Sequence, residues 1–445
     1  MKVLFLLEQI EVLDLLDDPD EGNPGVGGTS YLILQLANRL HQEWKHHAAN
    51  DHEITLGCWV APSKCRHYRG MNVINISNQA KGGHTFDITV ATGGALEAIG
   101  TGQLIFDTKK LIAWIHHPYD WGKMRLAKRL NAEIVSIGSM QYFSNALIGG
   151  RHNRIENIFN ASGIRKHLGS LEGTRTGQTS SDNCVNIGYM GALIPSKGFH
   201  TIIENWDGIK KSTAGVNKKP KLQVIGGSTL YSYAQSHPSL PCELKYGTYI
   251  EKLMARKGIG SNDITFHGVM GSNRYQVMAM CDLAIVNPEG YGEAFPATIL
   301  EWLCLGIPAL TSKRFGLSDV ASYVPELCLD GPNDLGKKIT HILELSPQER
   351  TQLECRCKGI ADLYSSKQPH IVQQWSYLLS CINENLQKGT GGLSGSKIAT
   401  DSRMKIDGYP TRRLLAQLIA DYLDMALIRL KCKAKSLLRR IRKHV

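Results

Sequence analysis

The chain has 445 residues, of which 42% are hydrophobic and 20% charged, and it carries a net charge of +11. This length exceeds one ordinary hydrophobic core and predicts two domains with an additional segment. The composition is globular and excludes a low-complexity or fibrous chain. The lack of any apolar run of about 18 residues argues against a membrane-spanning helix.

The cysteines and the N-terminus indicate the compartment. Eleven cysteines are scattered along the sequence, and none forms a Cys-x-x-Cys pair. An odd number without metal-like or redox spacing favours reduced thiols, so we expect a cytoplasmic protein. The first apolar run is short and is followed by acids without a small-residue cleavage site, which predicts a strand rather than a signal peptide.

In the first part of the chain, short apolar runs alternate with helix-length amphipathic segments. The runs predicted to be strands are KVLFLL (2–7), EITLGCWV (53–60), FDITVAT (86–92), KLIAWIHH (110–117) and AEIVSIG (132–138). The segment TSYLILQLANRLHQEW (29–44) is predicted to be the first long helix.

The same alternation restarts after a polar, Gly/Ser/Thr-rich segment, Arg165 to Asn183, which we take as the domain boundary. The predicted strands are VNIGYMG (185–191), KLQVIGG (221–227), DITFHG (263–268), DLAIVNP (282–288) and IPALTS (307–312). The predicted helices are FHTIIENW (199–206), TYIEKLMARKG (248–258) and NRYQVMAMC (273–281). The pattern predicts an α/β fold with two parallel sheets, each covered by helices on both faces.

The basic charge is concentrated at the C-terminus. After a flexible linker, Gln387 to Lys397, the tail 391–445 holds thirteen Lys and Arg against four Asp, a balance of +9, which leaves +2 for the other residues. Apolar residues at helical spacing form one stripe of the tail: Leu423, Ala426, Leu427, Leu430, Ala434, Leu437, Leu438 and Ile441. The tail is interpreted either as a helix docked on the protein body or as an interfacial helix on an anionic membrane.

Two loops that precede predicted helices suit anion binding. The segment GNPGVGGTSY, with Gly27 and Gly28, offers free backbone N–H groups at a helix end. It matches neither a dinucleotide fingerprint nor a P-loop, and a loop bent only by glycine is equally consistent. In GALIPSKGFHTII, Lys197 follows a strand and precedes a helix, where its charge suits a diphosphate; a solvated loop lysine is the alternative.

Titratable residues end two other predicted strands. In WIHHPYDW, His116 and His117 can approach a substrate or act as acid or base, although a structural histidine is the alternative for either. In NPEGYGEAFPATILEWLCLGIPAL, Glu293 is expected in a loop and Glu301 one turn inside a helix ended by Gly306. Their apolar surroundings make unpaired carboxylates costly, so partners are expected, and exposed surface acids are the alternative.

These motifs together resemble the retaining GT-B glycosyltransferases of family four, over roughly residues 1–385. The most specific element is the Glu-x7-Glu motif, matched by Glu293, Phe295, Glu301 and Gly306, with Pro296 at a position usually occupied by glycine. Lys197 matches the family's Lys-Gly, whereas Ala192 replaces the arginine that normally helps to hold the donor diphosphate.

The resemblance implies a specific architecture. It implies a Rossmann-like acceptor-binding domain over 1–165, a Rossmann-like nucleotide-sugar-binding domain over 184–365, a crossover helix over 366–386 and a basic helical tail over 391–445. It also implies transfer of a sugar from a UDP- or GDP-linked donor to a sugar, glycan or lipid-linked acceptor, without a metal or other cofactor.

The resemblance also implies residue roles. Glu293 is expected to stabilise the transferred sugar, Glu301 to hold the ribose, and His116 to contact the sugar from the opposite domain. Lys197 is expected to stabilise the diphosphate with N–H groups around Gly27, Gly28, Thr298 and Ile299, and Phe295 is also placed in the donor site.

Two other functions compete with sugar transfer. The loss of the arginine at Ala192 suits a non-catalytic GT-B protein that binds a sugar nucleotide or serves as a scaffold. A nucleic-acid partner is not expected, because the basic tail has few aromatic residues and no base-reading module. A tail bound to anionic lipid instead predicts a peripheral protein on the inner membrane surface.

Overall fold

The computed structural model describes residues 1–8, 12–46, 52–58, 67–76, 85–117, 121–149, 155–157, 183–228, 235–295, 297–365 and 368–388. The chain divides into two compact units, Met1–Ala399 and Thr400–Val445. The described residues all belong to the first unit. The predicted tail, and nearly all of the predicted boundary and of the flexible linker, lie outside them.

The N-terminal part forms an eight-stranded sheet with the order β3-β4-β2-β1-β5-β6-β7-β8. Its strands are β1 (Lys2–Leu7), β2 (Glu53–Cys58), β3 (His67–Tyr68), β4 (Met71–Asn75), β5 (Thr85–Ala91), β6 (Asp107–Ile115), β7 (Glu133–Ser136) and β8 (Ile155–Asn157). Neighbouring strands pair in parallel except the edge pair β3 and β4, which is antiparallel. Strand β1 is central, and its residues from Val3 to Leu7 are buried, as expected for a strand covered on both faces.

The C-terminal part forms a six-stranded sheet with the order β11-β10-β9-β12-β13-β14. Its strands are β9 (Cys184–Met190), β10 (Lys219–Ile225), β11 (Ile264–Gly268), β12 (Leu283–Val286), β13 (Ala309–Ser312) and β14 (Cys328–Leu329). All of its pairings are parallel. In a parallel sheet the carboxyl ends of the strands meet at one edge, and the loops that carry the predicted motifs follow those ends.

Helices connect the strands in both parts. The first part contains α1 (Val12–Leu15), α2 (Gly28–His46), α3 (Gly93–Gly100), α4 (Trp121–Arg129) and α5 (Ser139–Gly149). The second part contains α6 (Phe199–Glu204), α7 (Trp206–Ala214), α8 (Leu244–Arg256), α9 (Arg274–Ala279), α10 (Ala297–Cys304), α11 (Ser318–Ala321), α12 (Leu335–Leu343) and α13 (Pro347–Ser365). Among the helices that the structure describes, none is long and apolar enough to cross a membrane.

The last described helix, α14 (Gln368–Gln387), returns to the N-terminal sheet. Its Trp375 packs edge-on against Trp114 of β6, with ring centroids 5.1 Å apart. The indole of Trp44 in α2 donates a hydrogen bond to the Ser376 hydroxyl at 3.0 Å. Apolar and polar contacts therefore both hold α14 on the first part of the chain.

The two helix-covered sheets confirm the predicted α/β class, with differences in detail. The short strands β3, β4, β8 and β14 were not predicted, because runs of two to five residues with polar positions lack a clear apolar signal. The segment predicted as one helix over 199–206 forms α6 and the start of α7, which meet at Asn205.

Asp319 joins the two sheet-bearing parts. Its buried carboxylate accepts a hydrogen bond from the Met140 backbone N–H at 3.0 Å, and also one from Ser139. It thereby caps the N-terminus of α5, where helix N–H groups have no intrahelical partner. Within the described residues, the Asp319 Oδ2 atom has no hydrogen-bond partner. Burial outweighs both hydrogen bonds and raises the pKa of Asp319 to about 7.

We expect this carboxyl to make stability fall with rising pH. Between its ordinary pKa of 3.8 and its folded pKa of about 7, the folded chain holds more protons than the unfolded chain, so deprotonation favours unfolding. Asp319→Asn retains an acceptor oxygen and does not titrate. The melting temperature of this variant relative to the native chain should therefore rise by at least about 2 °C from pH 5 to pH 8. Thermal unfolding at both pH values measures this, and an unchanged difference would contradict the assignment.

Candidate functional site

The loop after β12 is built around Asn287, which adopts a left-handed φ of 41°. Its side-chain oxygen accepts a hydrogen bond from Gly290 N at 3.0 Å. Its Nδ2 donates to the Tyr291 carbonyl at 3.1 Å and to Glu293 Oε1 at 3.4 Å. Asn287 therefore fixes the turn that precedes Glu293 and directly contacts the Glu293 carboxylate.

Lys197 lies in the loop after β9 and forms an ion pair with Glu293. The loop is supported by the Tyr189 hydroxyl, which donates to the Ala192 carbonyl at 3.2 Å and to the Lys197 carbonyl at 3.4 Å. The Lys197 and Glu293 side chains retain 24% and 15% of their surface, so a ligand can reach both. Two residues that the sequence assigned to separate tasks thus meet at the carboxyl ends of β9 and β12.

His117 approaches this pair from the N-terminal part. Its ring is hydrogen bonded to the backbone of Gly292, next to Glu293. The side chain is accessible to solvent. The surrounding protein nevertheless desolvates the ring enough to lower its pKa, and the Lys197 charge lowers it further. His117 is therefore neutral near pH 7 and can donate or accept a hydrogen bond.

His116 occupies a different environment. It is 8% exposed, and its ring lies edge-on to Trp114 with centroids 4.4 Å apart. Its Nε2 has no hydrogen-bond partner among the described residues, and burial lowers its pKa to about 3. Both histidines lie just past the end of β6, where His116 is buried and His117 is exposed. The predicted sugar contact of His116 stays a prediction, and the contact with the Glu293 loop belongs to His117.

Glu301 is the fifth residue of α10, one turn inside the helix as the sequence predicted. Gly306, with a φ of 71°, follows the end of this helix. Glu301 Oε2 accepts a hydrogen bond from Arg274 Nε at 2.8 Å, and both side chains are buried. Sequence reasoning predicted that Glu301 needs a partner but did not identify Arg274. The available signal for this partner was Arg274 itself, a cation at the start of the predicted helix NRYQVMAMC (273–281).

The glycine loop before α2 faces the C-terminal part. Asn23 Oδ1 accepts hydrogen bonds from Gly25 N and Val26 N, both at 2.8 Å. Gly25 has a φ of 104°, and a Cβ there would lie 2.5 Å from Val269 Cγ1. Only glycine fits this close approach. The predicted Gly27 and Gly28 follow: the Gly27 carbonyl accepts from Tyr31 N at 3.1 Å to begin α2, and a Cβ at Gly28 would meet open space.

The remaining predicted donor-site residues lie around the start of α10. Thr298 and Ile299 occupy its first turn, where backbone N–H groups point out of the helix. Phe295 is 7% exposed and packs edge-on against Tyr364 with centroids 5.5 Å apart, so its side chain contributes to the core. Pro296 lies outside the described residues, and any donor contact of Phe295 stays a prediction.

The candidate site contains groups that suit anions and groups that suit hydroxyls. Lys197 and the first turns of α2 and α10 suit an anionic group, while Glu293 and Glu301 offer acceptors to hydroxyls. Across the described ranges, no cluster of three or more His, Cys, Asp or Glu is placed to hold a metal ion.

The Lys197–Glu293 pair can be tested without any ligand. Because both groups are partly buried, we expect a favourable coupling of about 1 kcal/mol in a double-mutant cycle of Lys197→Ala and Glu293→Gln. Denaturant unfolding of the native chain, the two single variants and the double variant gives this value. Strictly additive effects would show that the pair contributes no stability.

The sequence was compared with protein families and with curated proteins. Residues 177–356 match the model of the family described as glycosyl transferases group 1. The search of curated proteins found no match to the sequence.

Solved structures share the architecture at low sequence identity. HepE from Anabaena, determined in complex with UDP and glucose, has a TM-score of 0.60 and 18% identity over 85% of this chain and 99% of its own. The α,α-trehalose 6-phosphate synthase from Burkholderia multivorans has a TM-score of 0.56 and 10% identity over 87% and 99%. A glycosyltransferase from Rickettsia africae has a TM-score of 0.51 and 12% identity over 84% and 98%.

At these identities the solved structures establish the fold, and the family model covers the C-terminal sheet and its loops. The segment 177–356, which carries Lys197, Glu293, Arg274 and Glu301, matches the model of the glycosyl transferases group 1, and the chain has the GT-B fold.

Proposed function

We propose that this protein is a retaining hexosyltransferase that moves a sugar from a nucleotide-sugar donor to an acceptor hydroxyl without a metal ion. The observation that carries the proposal is the Lys197–Glu293 pair, which lies in the glycosyl transferases group 1 domain and is approached by His117 from the opposite sheet. The bond between the sugar C1 and the diphosphate oxygen breaks, and its electron pair leaves with the diphosphate. A bond from C1 to the acceptor oxygen forms, and the released diphosphate takes up the acceptor proton.

The ion pair suggests how donor binding prepares the site. A diphosphate carries more negative charge than one carboxylate, so it competes with Glu293 for the Lys197 ammonium. Once Lys197 turns to the diphosphate, Glu293 faces the sugar and stabilises the positive charge that develops at C1. The first turns of α2 and α10 stabilise the phosphates with backbone N–H groups, the task that a magnesium ion performs elsewhere.

The other site residues position the donor. Glu301 accepts hydrogen bonds from the ribose hydroxyls, and neutral His117 contacts a hydroxyl of the transferred sugar. The presence of UDP and glucose in the HepE structure supports testing UDP-sugars first. Ala192 favours the alternative function, a protein that binds a sugar nucleotide without transferring the sugar, because one diphosphate cation of related enzymes is missing.

A ligand screen tests the proposal. The purified chain is melted with UDP-glucose, UDP-galactose, GDP-mannose and ADP-glucose, each with a Lys197→Ala control. A ligand at 100 times its dissociation constant adds about 2.7 kcal/mol to stability. Stabilisation that Lys197→Ala abolishes, together with slow release of the free sugar, supports a transferase. Binding without any turnover supports the alternative, and no stabilisation by any sugar nucleotide contradicts both.

Glu293→Gln should lower kcat for transfer by roughly a hundredfold or more without weakening donor binding, because the charge acts mainly when the sugar becomes cationic and its removal leaves Lys197 free for the diphosphate. Initial rates and donor titration calorimetry separate the two effects. Equal rates in the variant and the native enzyme would remove Glu293 from the reaction.

The two histidines form a matched pair of substitutions. His117→Ala should reduce kcat/KM by about 10- to 100-fold with little change in melting temperature, since it removes one hydrogen bond to the sugar. His116→Ala should mainly lower the melting temperature, because it leaves a cavity beside Trp114. The opposite result, with His116 as the residue that controls the rate, would assign the sugar contact to His116.

The basic tail extends the proposal to the acceptor. Its cations are interspersed with the apolar stripe: Arg429, Lys431, Lys433, Lys435, Arg439, Arg440, Arg442 and Lys443. We propose that it lies on anionic membrane and brings the enzyme to a lipid-linked acceptor. Each cation near the surface contributes about 1 kcal/mol, in addition to the apolar stripe.

In sedimentation with phosphatidylserine vesicles at low salt, the full chain should bind and a chain truncated at Gly391 should not. A variant with Lys431, Lys433, Arg439 and Arg440 replaced by Gln keeps the apolar stripe and should bind weakly. If the full and truncated chains bind equally, or neither binds, the tail has a different role, such as docking on the protein body.

A further inference from the structure

Arg274, the first residue of α9, is a buried cation that family resemblance did not identify. Its Nε donates to Glu301 Oε2 at 2.8 Å, and its Nη2 donates to the Tyr275 hydroxyl at 3.0 Å. Its Nη1 donates to the Gly271 carbonyl at 2.9 Å and to the Asn23 carbonyl at 2.7 Å. Every nitrogen of the guanidinium is thus held, and the side chain has one defined position.

The contact with Asn23 links Glu301 to the glycine loop of the other sheet-bearing part. The Asn23 side chain accepts hydrogen bonds from Gly25 N and Val26 N and so determines the shape of that loop. The same loop leads directly to Gly27 and Gly28 at the start of α2. Arg274 therefore joins the carboxylate proposed to hold the ribose to the loop proposed to meet the phosphates.

Glu301 is left with one oxygen for a ligand. Oε2 is engaged by Arg274, whereas Oε1 accepts no hydrogen bond from the described residues, and Glu301 retains 9% of its surface. A carboxylate buried this deeply is costly without a cation beside it. The Arg274 guanidinium lies beside Glu301, and its hydrogen bond to Oε2 fixes the direction of Oε1.

We propose that Arg274 is the positioning residue that gives the site its preference for ribose: it holds Glu301 so that Oε1 meets the hydroxyls of the nucleoside, and it ties that carboxylate to the glycine loop. The inference rests on the proposed function, since it requires a nucleoside diphosphate in this site. Lysine cannot take over this task, because an ammonium is a compact point charge that cannot hold a carboxylate and a backbone carbonyl in the geometry of a planar fork.

The test compares ribose recognition in two Arg→Lys variants. UDP, GDP and ADP are titrated by calorimetry, and the tightest is compared with its own 2′,3′-dideoxy form. The native chain should prefer the ribose form by about tenfold or more, as expected for hydrogen bonds to a charged acceptor. In Arg274→Lys this preference should fall below about threefold. In Arg350→Lys, where the arginine pairs with Glu354 and donates to Asp282, the preference should stay native.

A purely structural role of Arg274 would weaken both ligands equally and leave the preference unchanged, which would overturn the inference. A native chain that does not distinguish the two ligands would also overturn it. A native chain that binds none of the three nucleoside diphosphates would instead overturn the proposed function, and the inference with it. If Arg274→Lys does not fold, Arg274→Gln takes its place, because its amide keeps one donor beside Glu301, and the inference requires the same loss of preference in that variant.

Discussion

Both carboxylates of the site are largely buried, and each is paired with a cation from another element of the C-terminal part. Glu293 is paired with Lys197, and Glu301 is paired with Arg274. Without these cations the carboxylates would pay the desolvation penalty of a buried charge. The pairing also determines which carboxylate oxygens remain for a ligand. The two ion pairs therefore both stabilise the site and limit how a ligand can bind to it.

Hydrogen bonds between side chains and backbone groups join the two sheet-bearing parts. Arg274 bonds to the Asn23 carbonyl, His117 to the Gly292 backbone, and Asp319 to the N-terminus of α5. Two of these contacts involve residues that also belong to the candidate site. Under the proposed function, a ligand that meets Glu293 or Glu301 therefore lies next to groups that hold the two parts together.

The sequence was sufficient for most of the fold and for the places of Lys197, Glu293 and Glu301 in it, while their roles in a reaction stay predictions. The long strands are continuous apolar runs because a parallel sheet buries both faces, and Lys197, Glu293 and Glu301 follow strand ends as predicted. The partners were not predictable in the same way. Met140 contacts Asp319 over 179 residues, and Asn23 contacts Arg274 over 251. Such pairs depend on how the sheets meet, which local periodicity does not encode. Which of His116 and His117 contacts the Glu293 loop likewise depends on where β6 ends, and the sequence alone did not decide this.

Ala192 bears on how the site balances charge. With no arginine at that position, Lys197 is the side-chain cation of the loop after β9 that a diphosphate can recruit, and Glu293 already holds it. Under the proposed function, a donor must therefore offer enough negative charge to compete with one carboxylate, and it must gain further hydrogen bonds from the first turns of α2 and α10. A single carboxylate or a neutral sugar offers neither. Under the proposed function, a full diphosphate meets both conditions, so the missing arginine restricts the class of ligand, and measured turnover decides whether transfer follows binding.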